Sequence, residues 1–169
     1  MVILKNQNSH LDRRRALAVS LAVIASAAMP VALNASKTAT RVLFVCQFGT
    51  AKSAIARELL RRRATQRGIR VIVTSRGITP EPHLAISTRD HLLADGIIVD
   101  GEAVRPLQNA DLRAADLVVV FNPLPASMHA RVLRDWSAVP SVNDAYPLAR
   151  ADLDSRVELL LDDMVRMRR

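Results

Sequence analysis

Cys46, Lys52 and Ser53 are spaced so that a sulfur, a cation and a hydroxyl can meet at one point. Cys46 ends the run Arg41-Val-Leu-Phe-Val-Cys46. Gln47, Phe48, Gly49, Thr50 and Ala51 follow, and Lys52-Ser53 opens Ala54-Ile-Ala-Arg-Glu-Leu-Leu60. Val42 to Val45, rich in β-branched and aromatic residues, predicts a buried strand. Ala51 to Leu60, free of Gly and Pro, predicts a helix that ends near Gly68. In such a strand, loop and helix, the amides of the loop and of the helix's first turn converge just beyond the strand. Together with the positive end of the helix dipole they hold an anion. The same field favours a thiolate. Lys52 adds a full positive charge, so the stretch reads as an anion cradle with a sulfur at the strand's end.

The spacing Cys46-x5-Lys52-Ser53 after Val-Leu-Phe-Val resembles the low-molecular-weight protein tyrosine phosphatases and their arsenate-reductase relatives, whose loop is Cys-x5-Arg-Ser/Thr. Ser75-Arg76-Gly77 is similar to that family's Ser-Ala-Gly, and Ala115-Asp116-Leu-Val-Val-Val120 resembles its third strand. Asn143-Asp144-Ala145-Tyr146 sits where the family carries an Asp-Pro general-acid loop, so the likeness runs over residues 40–165. Four positions depart from the family loop: Phe48 replaces Gly, Gly49 replaces Asn, Ala51 replaces a second Cys, and Lys52 replaces Arg. Gly49 readily adopts the left-handed conformation that Asn tolerates. Lys52 supplies charge without the bidentate fork of arginine. Losing one preorganised donor costs roughly 3 to 4 kcal/mol, on the order of a hundred- to a thousandfold in rate.

The resemblance implies an enzyme. Cys46 would attack phosphorus in line and form a cysteinyl-phosphate, while the backbone of Gln47, Phe48, Gly49, Thr50 and Ala51, with Lys52, holds the equatorial oxygens. Ser53 would donate a hydrogen bond to the sulfur. Asp144 would protonate the leaving group and then take a proton from water. Tyr146 would line the pocket mouth. No cofactor or metal is required, and the substrate would be a phosphorylated protein or a small phosphomonoester. Plain readings stand beside these: Cys46 as core packing, Lys52 as a solvated first-turn residue, Asp144 as a turn aspartate, Tyr146 as core. Two other functions also remain open, a single-cysteine arsenate reductase that uses an external thiol and a degenerate phosphatase that binds phosphate without turnover.

The elements that must position these residues alternate. Val71 to Thr74 predicts a second strand, His83 to Ala94 a short helix stopped by Gly96, and Ile97 to Glu102 an extended connection. Asn109 or Asp111 can cap a brief helix to Ala115. Asp116 to Phe121 is a continuous apolar run of the buried parallel type. Pro123 to Asp135 predicts another helix, Val139 to Val142 a last strand, and Arg150 to Met167 a long amphipathic helix with Leu153, Val157, Leu160, Leu161 and Met164 on its inner face. Strands alternating with helices give an α/β fold, a three-layer sandwich whose four-stranded parallel sheet is flanked by helices, with the phosphate-binding loop after the first strand. Ligands of such sheets bind beyond the carboxyl ends of the strands. Cys46 ends one strand and Asp144 follows another, which brings distant residues toward one site.

Composition narrows the alternatives. The chain has 169 residues, half of them apolar, enough for one domain with its own core. Its single cysteine excludes an internal disulfide, a Cys-rich metal site and an intramolecular cysteine relay. His10, His83, His91 and His129 lack ligand spacing. Net charge is +8, but residues 1–38 hold five basic residues and one acidic residue, hence +4 of it, and aromatics are few. The remainder reads as solvated helix faces rather than a nucleic-acid surface. Arg13-Arg14-Arg15 precedes an uncharged stretch from Ala16 to Leu33, broken by Pro30. Residues 1–35 therefore read as an export signal to the periplasm ahead of a domain over residues 39–169. An uncleaved membrane anchor, the one route to a membrane partner, and a cytoplasmic product started at Met29 are the alternatives.

Overall fold

The computed structural model of the protein describes residues 39–99 and 103–167. The export, anchor and Met29 readings of residues 1–35 lie outside the described residues. Strand β1, Thr40–Cys46, leads into helix α1, Lys52–Gln66, and then into β2, Val71–Gly77. Two short helices follow, α2 at Ile86–Ala94 and α3 at Asn109–Ala114, then strands β3 at Leu117–Val120 and β4 at Leu133–Asp135, and finally α4 at Tyr146–Arg166. The four strands form one parallel sheet in the order β2-β1-β3-β4. Placing β1 between β2 and β3 puts Cys46 at the carboxyl end of an interior strand, in register with Gly77.

Alternation along β1 divides the core. Val42, Phe44 and Cys46 face one side, where Ile55, Leu59 and Leu60 of α1 and Leu153, Val157 and Leu161 of α4 cover them. Leu43 and Val45 face the other, packed with Val118, Val120, Leu107 and Leu112 of α3. Both faces are buried, which is why the strands read as continuous apolar runs. Phe44, Leu59 and Leu153 are at most 1 % exposed, and each such burial contributes roughly 1.5 to 3 kcal/mol. Phe44, Phe121 and Trp136 form an aromatic group beneath the site, with ring centroids 5.7 to 6.3 Å apart.

Two expected elements are corrected. The segment expected to be helical over Pro123 to Asp135 is loop and then strand: Leu124, Met128 and Ala130 pack on the second face, and Leu133 to Asp135 pair with Val118 to Val120. Pro123 and Pro125 remove amide donors and push the residues before them out of the helical region. The strand expected at Val139 to Val142 is instead a turn, whose Val139 and Val142 are buried in the core. Pro140 could not donate to a ladder there. Helix α4 begins at Tyr146, four residues before the expected Arg150, since Pro147 is acceptable in a first turn.

Candidate active site

The loop between β1 and α1 is shaped by two glycines. Gly49 has φ +74°, and a Cβ on it would lie 2.3 Å from Val104 Cγ1 and 2.9 Å from the Gly77 amide nitrogen. A Cβ on Gly77 would in turn meet the Phe48 carbonyl carbon at 2.8 Å. Neither position admits a side chain without displacing the backbone opposite. The loop is also tied to the segment after β2: Thr79 and Glu81 amides donate to the carbonyls of Gln47 (2.8 Å) and Phe48 (3.2 Å), and Ile78 donates to Cys46 O (3.1 Å).

These ties turn the Gly49 amide to Cys46, where it donates to Sγ at 3.2 Å. Ser53 Oγ, fully buried in the first turn of α1, lies 3.0 Å from the same sulfur. Cys46 is itself buried, and no side chain caps the start of α1 at Ala51. Cys46, Ser53 and Gly49 are thus brought together in the structure. Thr50 is buried within the loop, Ala51 is half-buried, and Phe48 is half exposed at its rim.

The cation is placed differently from a simple cradle. Lys52 Nζ donates to the carbonyl of Val139, at 2.5 Å, across 87 positions of sequence. It thereby joins the start of α1 to the turn after Trp136. Asp144 lies farther along that chain, in the exposed turn before α4, and no described contact links it to Cys46, Ser53 or Lys52. Tyr146 packs against the core; its hydroxyl donates to Asp95 Oδ2 at 2.8 Å and its ring stacks on His91, 3.7 Å between centroids. Burial and the Asp95 carboxylate push that hydroxyl well above its ordinary pKa, so it remains a donor.

Two residues that hold the site were not apparent from the sequence. Asn122 Oδ1 accepts the Gln47 amide at 2.9 Å, and Thr79 Oγ1 accepts from Gln47 Nε2 at 2.9 Å. The signal for Asn122 was its place directly beyond the carboxyl end of β3, where ligands of parallel sheets bind. No described group of His, Cys, Asp or Glu side chains has the arrangement of a metal site.

The family model for low molecular weight phosphotyrosine protein phosphatases matches residues 41–140. The match contains the whole cradle and ends before Asp144 and Tyr146. Among solved structures, YfkJ from Bacillus subtilis superposes with a TM-score of 0.69 at 18% identity, covering 79% of this chain and 99% of that one. The low molecular weight protein tyrosine phosphatase from T. tengcongensis gives 0.67 at 19%, over 74% of this chain and 99% of that one. An arsenate reductase from Archaeoglobus fulgidus gives 0.55 at 22%, over 72% and 98%. No curated protein sequence matches the chain. At these identities the structural likenesses establish the shared fold, while the family match spans well over half the chain and carries the sulfur cradle with it. The chain therefore belongs to the low molecular weight phosphotyrosine protein phosphatase family.

Proposed function

We propose that the protein hydrolyses phosphomonoesters, of the phosphotyrosine type, through a cysteinyl-phosphate on Cys46. The observation that carries this reading is the sulfur's setting: Ser53 Oγ at 3.0 Å and the Gly49 amide at 3.2 Å, beside a helix start without a side-chain cap. Both contacts support negative charge on sulfur, first as the attacking thiolate and then as the leaving group of the second step. In the first step Sγ bonds to phosphorus as the ester oxygen departs, and Asp144 supplies the proton that oxygen takes up. In the second step water attacks phosphorus, Asp144 takes its proton, and the S–P bond breaks to release phosphate.

Lys52 favours a second reading of the same cradle, phosphate binding with little or no turnover, because its ammonium is engaged by Val139 O. Para-nitrophenyl phosphate separates the two. The parent is expected to turn over slowly, Cys46→Ser not at all, and Lys52→Arg faster by about one to two powers of ten, a part of what one preorganised donor is worth. Saturable phosphate or vanadate binding without any parent turnover would replace hydrolysis by binding. Consumption of arsenate that depends on added thiol would instead assign the cradle to arsenate reduction. We also infer that residues 1–35 direct export, on the basic residues and apolar stretch of that segment. Mass spectrometry of the protein from its native host is then expected to find a shortened N-terminus, and an intact Met1 on cytoplasmic protein would end that inference.

A further inference from the structure

We propose that Lys52 is a positioning residue for the general acid: its ammonium holds the turn that carries Asp144, and thereby sets where that carboxyl stands relative to the sulfur. This role rests on the hydrolytic reading above, and it gives the cation of the cradle a task other than gripping phosphate oxygens.

The turn over residues 136–145 is held mostly by its own bonds. The Trp136 amide donates to Val120 O (2.8 Å) and so extends the pairing of β3 with β4. The Val139 amide donates to Trp136 O and the Ala145 amide to Ser141 O, both at 3.1 Å. Among the described hydrogen bonds, that from Lys52 Nζ to Val139 O, at 2.5 Å, is the one tie between this turn and α1. Val139 and Val142 are buried in the core, while Asp144, five residues beyond Val139, is exposed. Apolar burial is non-directional, so it keeps the turn down without fixing its orientation, whereas a hydrogen bond to one carbonyl fixes a direction. The donor is charged and Lys52 is half-buried, which makes this bond roughly twice as strong as a neutral one. Among the described residues no carboxylate pairs with Lys52, so the carbonyl does not compete with one for the ammonium.

The placement joins the two halves of the reaction. Ser53, next in the chain, lies 3.0 Å from Cys46 Sγ. The first turn of α1 therefore supports the nucleophile with one residue and the turn of the acid with the residue before it. Proton transfer requires the acid within hydrogen-bond reach of the leaving oxygen, and a misplacement of about 1 Å costs on the order of a hundredfold in rate. Lysine suits this task, because a compact ammonium meets a single carbonyl, whereas the fork of arginine is shaped for two oxygens.

Lys52→Met, which keeps an unbranched stem and deletes the donors, tests the proposal in the full chain with phenyl phosphate and para-nitrophenyl phosphate. A residue that acts through the acid matters most where the leaving group needs a proton. The kcat for phenyl phosphate is therefore expected to fall at least about tenfold further than that for para-nitrophenyl phosphate. In an Asp144→Asn background the same substitution should slow both esters alike, since no acid is then left to position. Lys52→Arg, which can still donate to Val139 O, should keep the parent's ratio between the two esters whatever its overall rate. Equal slowing of both esters by Lys52→Met in the parent would make Lys52 a ligand of the phosphoryl oxygens and overturn the proposal. Hydrogen exchange supplies a readout that needs no turnover: the Val139 and Ala145 amides should exchange about tenfold faster in Lys52→Met, with β1 unchanged. Unaltered exchange at both amides would overturn the tether. A parent that hydrolyses neither ester would end the hydrolytic reading and the catalytic half of this proposal with it, while faster exchange at the two amides would still establish the tether.

Discussion

Cys46 and Lys52 stand six residues apart, yet they make contact with different parts of the molecule. The sulfur is surrounded by its own loop and helix, whereas the ammonium reaches to the carbonyl of Val139. An ammonium has three donors, so the bond to Val139 occupies one and leaves two, neither with the planar fork that grips two oxygens at once. Under the proposed hydrolysis, such a cradle would stabilise the equatorial oxygens mainly through backbone amides and place a larger share of the barrier on the leaving group. The proton donor then matters most for esters whose leaving group is a poor one. Asp144→Asn is therefore expected to slow an alkyl or unactivated aryl phosphate by about 10²- to 10⁴-fold, the usual worth of a positioned acid, and para-nitrophenyl phosphate far less. Measuring kcat across a series of leaving-group pKa values decides the point. Equal slowing along the series would remove Asp144 from the proton transfer and leave it as a residue of the exposed turn.

Helices α2 and α4 meet through a small polar junction that governs how α4 starts. Asp95, at the end of α2, accepts from the Tyr146 hydroxyl and from Arg150 Nε (2.7 Å) through one oxygen, and its own carbonyl accepts from Arg62 of α1 (2.7 Å). Tyr146→Phe keeps the ring on His91 and deletes one of these bonds, so a loss of roughly 1 kcal/mol is expected in denaturant unfolding. An unchanged midpoint would show that Arg150 alone holds the junction. Such contacts mark the limit of what the sequence discloses. Strands β1 to β3 and helices α1 and α4 announce themselves through runs and periodicity, because both faces of the sheet are covered and α4 needs one apolar side. Strand β4 has three residues, too few for any period, and its neighbourhood of Val and Leu is crossed by prolines that obscure where the chain turns. The sulfur, its hydroxyl and Gly49 are legible because they lie within eight consecutive positions and answer to local geometry. Asn122 and Thr79 are not, since they meet Gln47 from 75 and 32 positions away and only the order of strands brings them there.

At the scale of the described domain, ion pairs link helices α1 and α4. Arg63 binds Asp154 through two nitrogens, at 2.9 and 2.6 Å, and Arg67 meets Glu158 and Asp162 at 3.0 and 2.6 Å. Arg150 extends the line from Asp154 to Asp95. The hydrogen bond from Arg63, aided by the charges of Arg150 and Arg63, outweighs burial and holds the Asp154 carboxyl below its ordinary pKa. At Asp95 burial pulls upward, but the bonds from Arg150 and Tyr146 and the charges of Arg150 and Arg62 win, so this carboxyl is also lowered. A carboxyl that is more acidic in the folded chain than in the unfolded one stabilises the fold above its unfolded pKa and ceases to do so as pH falls through its folded pKa. Stability is thus expected to be level with respect to these two groups from pH 7 down to about 5, and to decline as the solution passes below roughly 4, the ordinary aspartate value. Asp154→Asn should lower the unfolding midpoint at neutral pH and flatten the acid limb, so that the two curves approach each other at low pH. Two parallel curves would mean that Asp154 titrates alike in both states and that apolar packing alone fixes α4 on α1. Since the pair is part-buried, added salt should reduce the difference at pH 7 less than it would for a fully solvated bridge.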